Sequence, residues 1–172
     1  MTIVIRAARI EDASILAVAE QEIAKNPGEL VSLPSELAPE RFERTIASIL
    51  HTKRGQYLIA EIDNQIVGHA LLDPLPLRAT QHVAHLTLVV HQNWQGQGIG
   101  KLLLESLIKW ATSEVSTIEK IELHVRSSNQ RAISLYTKMG FCQEGCLKNR
   151  VKISKGQYVD DIVMALHVKN PL

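Results

Sequence analysis

Residues 82 to 125 restrict the fold more than any other part of the chain. An apolar run, "HVAHLTLVV", is followed by a glycine-rich turn, "NWQGQGIGK", and then by Ile99, Leu102, Leu103, Leu107 and Trp110 at helical spacing, before a second apolar run, "IEKIELHV". The order is strand, helix, strand. Two strands joined this way within one sheet run parallel, with a right-handed crossover. The fold class is therefore α/β.

The flanking segments extend that sheet. "IVIRAA" reads as a strand, and Asp12 can cap a helix whose Ile15, Leu16, Ala19 and Ile23 form an apolar stripe. "KNPGELVSLPSELAPE" has loop composition, and "PERFERTIASIL" opens with a proline suited to a first helical turn. "QYLIAEIDNQIVGHALLDPL" reads as a hairpin turning at Asp63 and Asn64. "NQRAISLYTKMGF" reads as a helix capped by Asn129 and closed by Gly140. The tail gives two long antiparallel strands turning at Lys155 and Gly156. No repeat or linker interrupts the pattern, so one mixed sheet flanked by helices, a single domain over residues 1–172, accounts for it.

Composition excludes several partners. With 172 residues and 45% hydrophobic content the chain fits one core, and a net charge of +1 gives no field that would point to nucleic acid or a membrane. Cys142 and Cys146 lie four apart in a strand, where both should project from one face, and lack companions at metal-ligand spacing. No metal is expected. The opening "MTIVIRAARIEDA" lacks the layout of a secretion signal, so a cytoplasmic protein is expected.

Gly96, Gly98 and Gly100 stand at a helix start, where unpaired N–H groups and the helix dipole favour a phosphate and Lys101 adds a positive charge. The alternative is a merely tight turn. Lys101 stands where a dinucleotide fingerprint would need its third glycine, and Gln95 and Leu102 break a Walker loop. The pattern present is Gln95-x-x-Gly98-x-Gly100 after a strand ending in Val90. Downstream, "NQRAISLYTKMGF" carries Asn129, Ala132, Tyr136, Gly140 and Phe141. On these two signatures the chain resembles the GNAT superfamily of acyl-CoA-dependent N-acyltransferases. "IRAARIEDA" and "DNQIVGHALL" look like the family's first strand and helix and its second and third strands. The tail is similar to that of the bacterial L-amino acid N-acyltransferase subgroup.

The resemblance implies a mostly antiparallel sheet with a central parallel pair splayed into a V and helices on both faces. It implies acetyl-CoA as cosubstrate, its pantetheine arm held by backbone around Leu88 and Val90, and its phosphates surrounded by Gln95, Gly96, Gly98, Ile99, Gly100 and Lys101. Asn129 would contact the pantetheine or phosphates, and Tyr136 would be the general acid. Periodicity alone makes Tyr136 a core residue, since it shares a stripe with Ala132, Ile133 and Met139. Many relatives use a fourth-strand carboxylate as base. This strand offers His82 and His85 instead, whose odd spacing sends them to opposite faces, so only one can face the cleft without a bulge. Glu61 and Asp161 are reserves, and His124 is expected to face away from the packed side. One of Asp160 and Asp161 could hold a substrate ammonium, or either could pair with Arg150 or Lys152. Residues 25–39 should wall the acceptor site. The expected activity is acetyl transfer to a small-molecule primary amine such as an amino acid, by direct attack in a ternary complex. A peptide or protein N-terminus and a non-catalytic acyl-CoA module are the alternatives, and a homodimer is the expected assembly.

Overall fold

The computed structural model describes residues 2–169. Among the described residues, seven strands form one sheet: β1 (Ile3–Ala7), β2 (Gln56–Ile62), β3 (Gln65–Pro74), β4 (Val83–Val90), β5 (Lys120–Arg126), β6 (Cys142–Ser154) and β7 (Gln157–His167). Their order is β1-β2-β3-β4-β5-β7-β6. The α-helices that connect them are α1 (Ala13–Ala24), α2 (Pro39–Thr52), α3 (Ile99–Ala111) and α4 (Gln130–Lys138). All neighbouring strands are antiparallel except β4 and β5, which pair in parallel only at Val83↔Lys120, Ala84↔Ile121 and His85↔Glu122. Beyond His85 the pair opens into the expected V.

Local chemistry accounts for the corners. Asp63 and Asn64 take positive φ values of 49° and 63°, the twist that a two-residue hairpin needs and that short polar side chains tolerate. Pro39 opens α2 with its fixed φ and no N–H to waste. Asp12 precedes α1 but does not cap it with its side chain, which accepts from the Arg9 N–H and both terminal nitrogens of Arg6. Helix α1 is also rotated from the expected stripe. Ala13, Leu16, Ala17, Glu20 and Ile23 are buried, while Ile15 is exposed. The reason is polar, because Glu20 must face inward to meet a buried histidine.

The sheet separates two cores. On one face α3 packs Ile99, Leu103, Leu104 and Leu107 against Leu86, Ile121 and Leu123, joined by Tyr136 and Phe141 from the α4 region. On the other, α1 and α2 pack Leu16, Phe42 and Ile46 against Tyr57, Ile59 and Leu71. Beneath α1 lies a polar chain: Glu20 Oε1 is 2.8 Å from His69 Nε2, His69 Nδ1 is 3.3 Å from His91 Nε2, and His91 Nδ1 is 3.1 Å from the Ile66 carbonyl. Each ring nitrogen has a partner.

Two expectations fail through strand geometry. A register shift between Gln143 and Gly145 adds a residue to β6, so Cys142 opposes Ala165 while Cys146 opposes Ile162. The odd interval on β7 puts the two cysteines on opposite faces, not the same one. His82 does not lie on the fourth strand. It precedes β4, is exposed, and lends its carbonyl to the Glu119 N–H at 2.8 Å. Among the described residues, no helix is long and apolar enough to cross a membrane.

Candidate active site

The glycine turn leads straight from β4 into α3. Gly98 has φ +84° and no side chain to cap the helix, and the first backbone bond there runs from the Leu102 N–H to the Gly98 carbonyl at 3.1 Å. The N–H groups of Ile99, Gly100 and Lys101 therefore stand outside the helical ladder. A Cβ on Gly98 would meet nothing within 4 Å, and one on Gly100 would meet Val90, Leu135 and Leu88 only at 3.5–3.7 Å. Backbone conformation demands glycine at 98, but protein packing does not demand it at 100.

These amides open onto a cleft of about 640 Å³. Its walls include Leu88 and Val90 of β4, then Gln95, Gly96, Gly98, Ile99, Gly100 and Lys101, and Asn129 and Tyr136 across the V. The contributions differ. The Ile99 side chain is buried in the core, leaving only its backbone for the cleft, and Lys101 points outward with Glu105 at 3.5 Å. The Gln95 amide reaches the Val90 carbonyl at 3.5 Å. Asn129 accepts from the Ala132 N–H at 3.1 Å, so its side chain caps α4. Tyr136 is buried against Phe141, with ring centroids 5.7 Å apart, and burial pushes its phenol up to about 12. Pro27 to Leu30 form part of the opposite rim, where Gly28 lies under Ile153 of β6.

His85 marks the apex of the V. It is the last β4 residue paired with β5, and its ring meets that of His124 with centroids 5.6 Å apart and planes at 69°. His124 Nδ1 lies 3.6 Å from Asp161 Oδ2. Burial holds the His85 imidazole below its ordinary range and the neighbouring His124 adds to that effect, while Asp73, Glu122 and Asp161 oppose it. Asp73 sits directly across β3 from His85, and burial raises its carboxyl. A second hollow of about 240 Å³ continues from Asp73 to Arg41, Arg44, Thr45 and Ser48 of α2.

The cleft thus gathers the expected glycine-turn residues, Asn129 and Tyr136, but not the histidines. His85 lies at the apex of the V, and neither it nor His82 lines the cleft. Glu61 is committed to Arg6 at 2.6 Å, far from the V. Asp160 pairs with Lys148 at 2.8 Å rather than with Arg150 or Lys152. One residue of the cleft went unmarked in the sequence. Arg131, two places after Asn129, brings a guanidinium nitrogen within 3.4 Å of where a Gly96 Cβ would sit. The basic position beside a capped helix start was the available signal. His124 does face away from α3, as alternation implied, and its ring meets that of His85 at the apex of the V.

Amide donors at one end of a long cleft, an unpaired strand edge along it and a buried phenol opposite suit an extended ligand that is anionic at one end. A model described as the acetyltransferase (GNAT) family matches residues 21–141, and the chain belongs to that family. It is 33% identical over 108 residues to the L-amino acid N-acetyltransferase AaaT of Escherichia coli (strain K12), covering 63% of this chain and 65% of that one. It is 32% identical over 114 residues to an N-alpha-acetyltransferase of Sulfurisphaera tokodaii, covering 60% and 62%. These matches span just under two thirds of the length of either relative. The fold superposes with TM-score 0.84 on a GNAT superfamily phosphinothricin acetyltransferase from Sinorhizobium meliloti in complex with acetyl-CoA, at 19% identity, covering 97% of this chain and 89% of that one. Among the described residues, no cluster of three or more His, Cys, Asp or Glu is arranged to hold a metal.

Proposed function

We propose that the chain, acting as one domain, transfers an acetyl group from acetyl-CoA to a primary amine of a small molecule such as an amino acid, by direct attack in a ternary complex. The observation that carries this reading is the alignment, in one cleft, of free α3 amides, the open edge of β4 and Tyr136. The donor set fits the cosubstrate. Three amides outside the ladder, with Arg131 and Lys101 nearby, suit a pyrophosphate, and an unpaired strand edge suits the amide-bearing pantetheine arm.

Bound acetyl-CoA supplies a thioester carbonyl open to attack by an amine. Backbone around Leu88 and Val90 holds the arm and donates to the oxygen on which charge develops. His85, kept neutral by burial, takes the proton that the acceptor ammonium must lose, and Tyr136, still protonated at any working pH, gives one to the departing thiolate. The hollow carrying Arg41, Arg44 and Asp73 suits an acceptor that bears both charges. The likeness to an N-alpha-acetyltransferase makes a peptide N-terminus the competing acceptor. A cytoplasmic location and a homodimer belong to the same reading, to be tested by fractionation and sedimentation.

Thermal unfolding with acetyl-CoA, CoA, NAD or ATP in separate samples tests the first half. Both CoA forms should raise the midpoint and the other two should not. No shift with ample acetyl-CoA refutes the reading. Thiol release with amino acids, polyamines and short peptides then ranks acceptors. Tyr136→Phe should lower kcat by about 10²-fold or more while the acetyl-CoA-induced shift persists; undiminished turnover removes Tyr136 from the mechanism.

A further inference from the structure

Asp161 is an expensive residue for the strand that carries it. It is 3% exposed, its Oδ1 has no hydrogen-bond partner, and the Nε of its neighbour Arg126 also lacks one, with Arg126 Nη1 3.9 Å from Oδ1. An unsatisfied buried carboxylate oxygen loses its hydration with no hydrogen bond in return. A carboxylate kept only for packing would be better replaced by an apolar residue. What its other oxygen faces is His124, and His124 in turn faces His85 across the V.

The groups form a file from the reaction centre outward. His85 stands at the apex, where an ammonium approaching the open edge of β4 would arrive. His124 follows on β5 with about a third of its side chain in solvent, and Asp161 closes the file beneath it. Two adjacent imidazoles resist holding two positive charges and share one readily, and a buried carboxylate beside them favours that single charge.

We propose that His124 and Asp161 are positioning residues for His85, so that two histidines and a β7 carboxylate together do the work of the missing carboxylate on β4. This rests on the acetyl-transfer reading above. The acceptor N–H bond breaks as a proton passes to a ring nitrogen of His85. The freed nitrogen lone pair forms the bond to the acyl carbon, and the sulfur leaves with the thioester bonding pair and the Tyr136 proton. The His85 proton then passes by way of His124 to solvent, and the second proton that the nitrogen sheds as it becomes an amide restores the phenol. No other reactant is consumed.

The charged and titratable groups facing His85 are Asp73 from β3, Glu122 and His124 from β5, and Asp161 from β7, with Glu122 itself paired to Lys120 at 2.9 Å. Removing individual groups has opposite consequences. Asp161→Asn withdraws a negative charge and should move the acid limb of kcat/KM to lower pH. His124→Gln withdraws a competing positive charge and should move it to higher pH. Both should lower kcat about tenfold or more with the KM for acetyl-CoA within about twofold. In a His85→Gln background Asp161→Asn should add nothing, because residues acting as a unit are not additive.

The rate test uses acetyl-CoA with an equimolar mixture of the proteinogenic amino acids, and thermal unfolding confirms that each variant is folded. Asp161→Glu, which keeps the charge, should restore part of the rate. In parallel, NMR titration of the histidine ring protons reads the same coupling without turnover. Shifts of the His85 titration in opposite senses in the two variants support the inference. A His85 titration unchanged by both, or displaced in the same sense by both, overturns it. Absence of thiol release by the unmodified chain would instead count against the acetyl-transfer reading, and the NMR result would still decide the coupling.

Discussion

Two histidine pairs in this molecule share one geometry and differ in everything else. His69 and His91 meet with centroids 5.6 Å apart and planes at 69°, and so do His85 and His124. The first pair is sealed under α1, with each ring nitrogen partnered, from Glu20 at one end to the Ile66 carbonyl at the other. The second sits where the sheet opens, beside a carboxylate with an orphan oxygen. The two pairs differ, then, in the completeness of their hydrogen bonding and not in their ring geometry. A satisfied chain stabilises one arrangement, whereas an unsatisfied one is available to a ligand or a proton.

The comparison breaks most sharply if the sealed pair proves dispensable. His69→Ala leaves the Glu20 carboxylate buried without its partner and should cost about 3–5 kcal/mol in urea unfolding. A loss below about 1 kcal/mol would mean that Glu20 escapes to solvent. Acid should find the same weakness. Burial, followed by the neighbouring His69, lowers His91 from 6.5 to about 4, so the unfolded chain binds the extra proton across that interval. Stability should fall as pH drops from 6.5 to about 4, by about 3 kcal/mol at about 1.4 kcal/mol per decade of proton activity. His91→Gln should flatten that slope.

The open pair should respond in rate instead. His85→Gln should lower kcat about 10²-fold, near 2.7 kcal/mol in barrier, with the acetyl-CoA-induced thermal shift intact. Because the folded protein holds His85 neutral below its ordinary range, the acid limb of the unmodified chain should lie under pH 6.5. The smallest effect sharpens the contrast. His124→Gln should change unfolding free energy by no more than about 0.5 kcal/mol, as expected of a part-exposed strand residue, while still displacing the rate profile.

How much of this the sequence held depends on the range of the signal. The crossover, the glycine turn and the α4 cap are local, so spacing located Gly98, Gly100 and Asn129 without knowledge of what lay opposite, whereas Tyr136 read as core by periodicity and entered the site only through the family resemblance. The Asp63 and Asn64 turn was equally legible. Failures came where a distant partner overrode a local rule. Glu20 turned α1 away from its best apolar stripe because His69 lies 49 residues on. One extra residue near Glu144 undid the parity of the cysteines. His124 obeyed its alternation, but its meeting with His85 depends on how β5 lies against β4, which spacing along one strand does not give. Arg131 belongs to the same class, since its closeness to Gly96 exists only after α4 docks beside α3.

The short parallel ladder has a mechanical consequence. Seven residue pairs join β4 to β3 and seven join β5 to β7, but only three join β4 to β5. The sheet is thus two stiff plates held by a narrow weld, with β1 to β4 on one side and β5, β7 and β6 on the other. A ligand lying along Leu88 and Val90 while touching Asn129 and Tyr136 bridges the plates on the open side of that weld. Occupancy should therefore slow amide exchange in strands it never touches, such as β6, because the hinge between the plates loses its freedom to flex.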